Sequence, residues 1–312
     1  MVDWGNFCAP RFVSSIRRMN TTRLILLTVL FGAFANLSHA QRWAPTHLDV
    51  AYDDKHDAQK LDVYLPDTDE KVPVAIYIHG GGWRAGSKYP APGFLMHAVR
   101  DKLLAVVSVE YRFTDVEIHP AQVNDCLRAV QFVRENAAKW NIDAERIVVG
   151  GGSAGGHLSL WVALHDDIAD PDSEDSVARQ SSRVSGAISF AGPTDWSLLG
   201  EMPHLHPAYR QLLGYRPGTP YEDMDKEKVA DVSSITHADK KDPAVLLVHG
   251  DKDNIVPLRH AEKLHERIKE VGGKSELLTI KGGTHAVSGG GGTEEKVLEF
   301  IKRQLKISAP GK

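Results

Sequence analysis

The run Val148-Val149-Gly150-Gly151-Gly152-Ser153-Ala154-Gly155-Gly156-His157 sets a serine in a G-x-S-x-G frame between a β-branched stretch and a helical pattern. Only small neighbours let the backbone turn tightly enough there to lift the hydroxyl over a sheet edge. A helix N-terminus behind the serine offers free N–H groups to a developing negative charge. A serine so placed, Ser153, is a nucleophile that needs a base, and the base needs an acid to orient it. Two later stretches offer both. Val248-His249-Gly250-Asp251-Lys252-Asp253-Asn254-Ile255-Val256-Pro257 carries two carboxylates just past an apolar run, and Lys281-Gly282-Gly283-Thr284-His285 carries a histidine just past the next. Upstream, Ile76-Tyr77-Ile78-His79-Gly80-Gly81-Gly82-Trp83 ends a strand-like run in three glycines whose unobstructed N–H groups suit an oxyanion. Gly81 and Gly82, with the N–H of Ala154 behind the serine, are the expected donors. The chemistry implied is acyl transfer through Ser153 and His285, with no cofactor.

Other residues compete for roles. Asp195, in Gly192-Pro193-Thr194-Asp195-Trp196, also follows a strand-like run and is an alternative acid for His285. The chain has 15 histidines, but His157, His204 and His206 lack spaced Cys or carboxylate partners and no HExxH is present, so no metal site is expected. His79 is read as bonding within its own loop and His157 as packing beneath the serine turn. The glycines 289–292 have no following Lys-Ser/Thr and read as a mobile loop beside His285. Trp83, Trp196, Tyr209 and Tyr215, from loops around the proposed site, are expected to line it with flat rings or else to anchor the segment that carries them.

The elements that position these residues alternate. Apolar runs at 47–52, 60–65, 72–78, 103–111, 146–150, 184–191, 244–249 and 275–280 read as strands, the first two as an antiparallel entry. Helical patterns at 120–140, 153–165, 258–271 and 294–305 fall between or after them. That order predicts a mostly parallel, doubly wound α/β sheet, with the chemistry at the carboxyl ends of its strands. Residues 192–242, rich in Pro, His, Tyr and charge, keep no period and read as a short cap insertion. They contain no long amphipathic segment of the kind that docks on lipid.

At 312 residues, with 42% hydrophobic and 25% charged, the composition excludes a disordered chain, and a net charge of −4 leaves no basic stripe for nucleic acid. Residues 1–40 differ from the rest. Arg17, Arg18 and Arg23 lead into an apolar run from Leu24 to Ala35 followed by small residues at Ser38 and Ala40, the pattern of a secretory signal cleaved between Ala40 and Gln41, with Met1 or Met19 as its start. The run is too short for a stable membrane anchor, because about 12 helical residues cover about 18 Å. A single domain at 41–312 is expected to be secreted or periplasmic. Removing the leader moves the net charge to about −7 and leaves Cys126, on the apolar face of a helix, as a small buried hydrophobe.

Taken together, HGGGW, GGSAGG, HGDKDNIVP, GGTH and the early Leu61-Asp62-Val63-Tyr64-Leu65-Pro66 resemble secreted α/β-hydrolase carboxylesterases of the bacterial feruloyl esterase (BD-FAE-like) type, close to the hormone-sensitive-lipase-like esterases. The resemblance covers nearly all of residues 47–305. It implies an α/β-hydrolase fold with Ser153 as nucleophile, His285 as base and Asp253 as acid, Asp251 being a turn residue. It also implies a small-molecule or polysaccharide-linked ester as substrate, of acetyl or feruloyl type. The likeness touches prolyl-oligopeptidase-like peptidases and arylformamidases as well, and an inactive binding module can share the same fold.

Overall fold

Eight β-branched and apolar runs form one sheet in the computed structural model, which describes residues 44–287 and 292–308. The strands are β1 His47–Ala51, β2 Lys60–Tyr64, β3 Val72–Ile78, β4 Ala105–Val109, β5 Ile142–Gly152, β6 Gly186–Phe190, β7 Ala244–Gly250 and β8 Ser275–Ile280. Their order across the sheet is β1-β2-β4-β3-β5-β6-β7-β8. The β1/β2 and β2/β4 pairs are antiparallel, and every later pair is parallel. The architecture is the mostly parallel α/β sheet with an antiparallel entry that the alternation predicts, and it is the α/β-hydrolase fold that the resemblance implies. All of these strands lie in the unit Pro45–Lys312; the leader expected at 1–40 and its cleavage point fall outside the described residues.

The helices are α1 Gly93–Arg100, α2 Ala121–Glu135, α3 Ala154–Leu164, α4 Leu198–Glu201, α5 Ala208–Leu212, α6 Lys226–Val232, α7 Ser234–His237, α8 Arg259–Glu270 and α9 Thr293–Gln304. Helix α2 buries Val123, Leu127, Val130 and Val133 at three- and four-residue spacing, with Cys126 among them as a free, buried thiol. All eleven residues of α3 are buried. This helix can approach the sheet so closely only because Gly155 has no side chain, since a Cβ there would lie 2.0 Å from the carbonyl oxygen of Ile78. Helix α6 starts where the Asp225 carboxylate accepts the N–H of Glu227 at 2.9 Å.

Two findings depart from the sequence pattern. Helix α1 was not anticipated: it is only two turns long and follows Pro90 and Pro92, yet it buries Leu95, Met96 and Ala98. The segment 192–242 contributes heavily to the hydrophobic core, through Trp196, Leu198, Leu199, Leu205, Tyr209 and Leu212. Its short helices are held by burial rather than by any period of their own.

Candidate active site

Strand β5 sits between β3 and β6, so the turn that follows it opens at the middle of the sheet. Ser153 occupies that turn with φ 55° and ψ −119°, outside the ordinary range of an L-residue. The conformation is pinned on both sides, the Ser153 N–H donating to Phe190 O at 2.7 Å and the Ser153 carbonyl accepting the N–H of His157 at 3.0 Å. The hydroxyl is left free to face the loop after β8. There it donates to His285 Nε2 at 2.9 Å, while His285 Nδ1–H donates to Asp253 Oδ2 at 2.8 Å. A carboxylate only accepts, so Nδ1 carries the proton and Nε2 is the bare nitrogen presented to the serine.

The loops after β7 and β8 are built against each other. Lys252 N–H donates to Gly283 O at 2.8 Å, and the Asp251 carboxylate accepts the N–H of Gly282 at 2.6 Å. Asp251 is thus a latch between the loops, and Asp253 the carboxylate turned inward, its side chain fully buried. Burial opposes ionisation of Asp253. The hydrogen bonds from His249, from His285 and from the N–H groups of Val256 and Ile255 outweigh it and hold the carboxyl well below the usual carboxylate range. His249 is a partner the sequence did not reveal. It is buried within β7, its Nε2 lying 2.7 Å from Val256 O and 3.4 Å from Asp253 Oδ2. The alternative acid, Asp195, faces elsewhere: its carboxylate meets Lys263 Nζ at 2.5 Å and accepts from the Ser197 hydroxyl at 2.6 Å.

The glycine loop after β3 lies against the serine, since a Cβ at Gly80 would stand 3.4 Å from that of Ser153. Among the described residues, no hydrogen bond engages the N–H of Gly81, Gly82 or Ala154, which leaves all three for a ligand. Gly81 has φ 121°, and a Cβ there would lie 1.8 Å from the Ala85 carbonyl oxygen, whose residue closes the turn by donating to Gly81 O. Gly81→Ala must therefore break this turn. Turnover of a short p-nitrophenyl ester should fall by about 10² to 10³, the usual cost of losing one oxyanion donor. Turnover within a few-fold of the native chain would exclude Gly81 from the role. His79 is held inside the loop region, its ring nitrogens 2.7 Å from Gly80 O and 2.6 Å from Glu110 Oε1.

Ser153 and His285 separate two cavities. One, of about 530 Å³, has walls from Pro92, Phe94, Phe190 and Val287. The other, of about 450 Å³, runs past Gly81, Gly82, Trp83, His206 and Tyr209. The aromatic residues need correction here. Trp196 is fully buried and Tyr215 contributes to neither wall; the Trp196 indole N–H donates to Tyr209 O at 2.9 Å, and the Tyr215 hydroxyl accepts the N–H of Asp225 at 2.9 Å. Trp83 and Tyr209 reach the second cavity only with an edge, each 2% exposed. Their rings pack edge to face, with centroids 6.3 Å apart, where the glycine loop and the segment 192–242 join the hydrophobic core. Of the glycines at 289–292, residues 289–291 lie outside the described residues, and so does the expectation of a loop there beside His285. Among the described residues, no group of three or more His, Cys, Asp or Glu side chains is disposed to hold a metal ion.

Relatives and neighbours of known structure are esterases. The chain is 28% identical over 228 residues to the probable carboxylic ester hydrolase LipM of Mycobacterium tuberculosis, a match that takes in 72% of this chain and 52% of that one. It spans about half the length of the first such relatives. Among solved structures, a truncated carbohydrate esterase from gut microbiota superposes with a TM-score of 0.74 at 27% identity, over 85% of this chain and 98% of that one. A bifunctional GH43-CE protein of Bacteroides eggerthii gives a TM-score of 0.72 at 30% identity, over 83% of this chain and 35% of its own. The family model named BD-FAE matches residues 61–268, which include the glycine loop, Ser153 and Asp253 and stop short of His285. With more than half its length in that match and the same fold beneath it, the chain belongs to the BD-FAE family.

Proposed function

We propose that this chain is a secreted or periplasmic serine carboxylesterase that hydrolyses short-chain or carbohydrate-linked esters of acetyl or feruloyl type. The observation that carries the proposal is the unbroken line from Ser153 Oγ through His285 to the buried Asp253, at 2.9 and 2.8 Å, with a cavity on either side of the serine. The ester carbonyl would take the Ser153 oxygen as the hydroxyl proton passes to His285 Nε2, and the carbonyl oxygen, now negative, would lie against the N–H groups of Gly81, Gly82 and Ala154. Collapse of that intermediate expels the alkoxide, which takes the proton from His285, and leaves the acyl group on Ser153. Water, deprotonated by the same imidazole, then releases the acid. Two cavities meeting at the nucleophile suit a substrate that extends both ways from its scissile bond, one side for the acyl group and one for the alcohol. The carbohydrate esterase among the structural neighbours supports a sugar as that alcohol.

The discriminating experiment is a panel of acetylated xylan, feruloylated arabinoxylan, short and long p-nitrophenyl esters, and matched anilides. Acetyl and other short acyl esters should be hydrolysed fastest. Turnover of anilides or peptides without turnover of esters would replace this reading with an amidase. Failure of a fluorophosphonate to label Ser153 would point to an inactive binding module.

A further inference from the structure

Three consecutive residues of the glycine loop lie at positive φ: Gly81 at 121°, Gly82 at 62° and Trp83 at 58°. Glycine adopts such angles freely, whereas a residue with a Cβ does so only where its surroundings over-determine it. For Trp83 the surroundings grip the side chain. The indole Nε1–H donates to His157 Nδ1 at 3.2 Å, and the ring meets those of His157, Trp196 and Tyr209 with centroids 5.3, 5.7 and 6.3 Å away.

His157 is fully buried in the first turn of α3, its own N–H on the Ser153 carbonyl. Its other ring nitrogen, Nε2, lies 2.8 Å from Val232 O, at the end of α6. An indole N–H only donates and a carbonyl only accepts, so the tautomer is fixed, with Nδ1 bare and Nε2 protonated. A second proton would set two N–H groups face to face. Burial pushes this imidazole down to about 3, so the neutral ring persists at working pH. One side chain thus ties together the helix that begins at the nucleophile, the loop that carries the oxyanion donors, and the segment 192–242.

We propose that His157 and Trp83 form a positioning pair that holds Gly81 and Gly82 in their positive-φ conformation, with the bond to Val232 orienting the His157 ring for that purpose. The His157 side chain acts only through Trp83, both of its ring nitrogens being engaged. The proposal rests on the serine esterase reading above, and its test separates the two.

Trp83→Phe keeps a ring in place and deletes the N–H. His157→Leu removes both polar contacts, and His157→Gln restores one acceptor and one donor. On p-nitrophenyl acetate, Trp83→Phe and His157→Leu should each lose about 10- to 100-fold in kcat per fluorophosphonate-titrated site, with KM within about threefold. Affinity for a trifluoromethyl ketone, which forms the tetrahedral adduct, should fall in the same proportion, and His157→Gln should recover most of both. A role in packing alone would lower the melting temperature and the titrated fraction while leaving kcat per titrated site and inhibitor affinity unchanged. That outcome for Trp83→Phe overturns the proposal, and this variant decides the matter should His157→Leu fail to fold. Absence of labelling in the native chain would instead defeat the esterase reading itself.

Discussion

Ser153→Ala should lower ester turnover by about 10⁴ to 10⁶ while the chain stays folded. The separation of the two effects follows from how the turn is made. The backbone at 153 is fixed by its N–H on Phe190 O and by its carbonyl under the N–H of His157, and neither bond involves the hydroxyl. Alanine has the same Cβ as serine, so the strain of φ 55° is neither relieved nor increased. All that disappears is an oxygen whose one hydrogen bond among the described residues runs to His285. In the proposed mechanism no acyl-enzyme would then form, and the remaining catalysis would come from the proposed oxyanion donors and from binding. Turnover, thermal melting and fluorophosphonate labelling of the purified variant are the measurements. A folded, unlabelled variant that still hydrolyses within tenfold of the native rate would falsify the nucleophile assignment.

The parts of the site legible in the sequence are those where chemistry constrains the backbone. A G-x-S-x-G between a strand and a helix, and three glycines after another strand, mark places where a side chain would collide, and the structure has such collisions at Gly81 and Gly155. Periodicity placed the sheet because both faces of its inner strands are covered and β-branched residues recur there. It failed across 192–242, where an aromatic ring reads the same whether it faces a substrate or the core. Trp196 and Tyr215 illustrate this, one fully buried and the other holding the backbone N–H of Asp225. The choice between Asp253 and Asp195 was equally invisible to spacing, because both follow strands of the same sheet. What separates them is a partner on another element, Lys263 on α8 for Asp195 and His285 after β8 for Asp253. The pairing of Trp83 with His157 spans 74 residues and left no local signal at either end.

Asp253→Asn should cost about 10⁴ in turnover, as the same exchange does in a serine protease triad, and Asp195→Asn only a few-fold. Both oxygens of Asp253 are committed as acceptors, Oδ1 to the N–H groups of Ile255 and Val256 at 2.9 and 3.0 Å and Oδ2 to His285. An asparagine that keeps its oxygen on the two backbone donors turns its NH₂ toward His285 Nδ1. The ring must then accept there and carry its proton on Nε2, facing Ser153 with a donor where a base is needed. The flipped asparagine sets its NH₂ against two backbone N–H groups, which is worse. Asp195 has no bond to the relay, so neutralising it weakens only its contacts with Lys263 and Ser197. The exchange at 253 also changes the response to acid. A carboxyl held well below its ordinary range in the folded chain contributes stability that is present above the unfolded pKa of about 4 and is lost as pH falls toward the folded value. The native chain should therefore melt above Asp253→Asn at pH 7, and the gap should narrow on acidification below about pH 4. A collapse of turnover in Asp195→Asn alone would move the acid of the triad to the other strand.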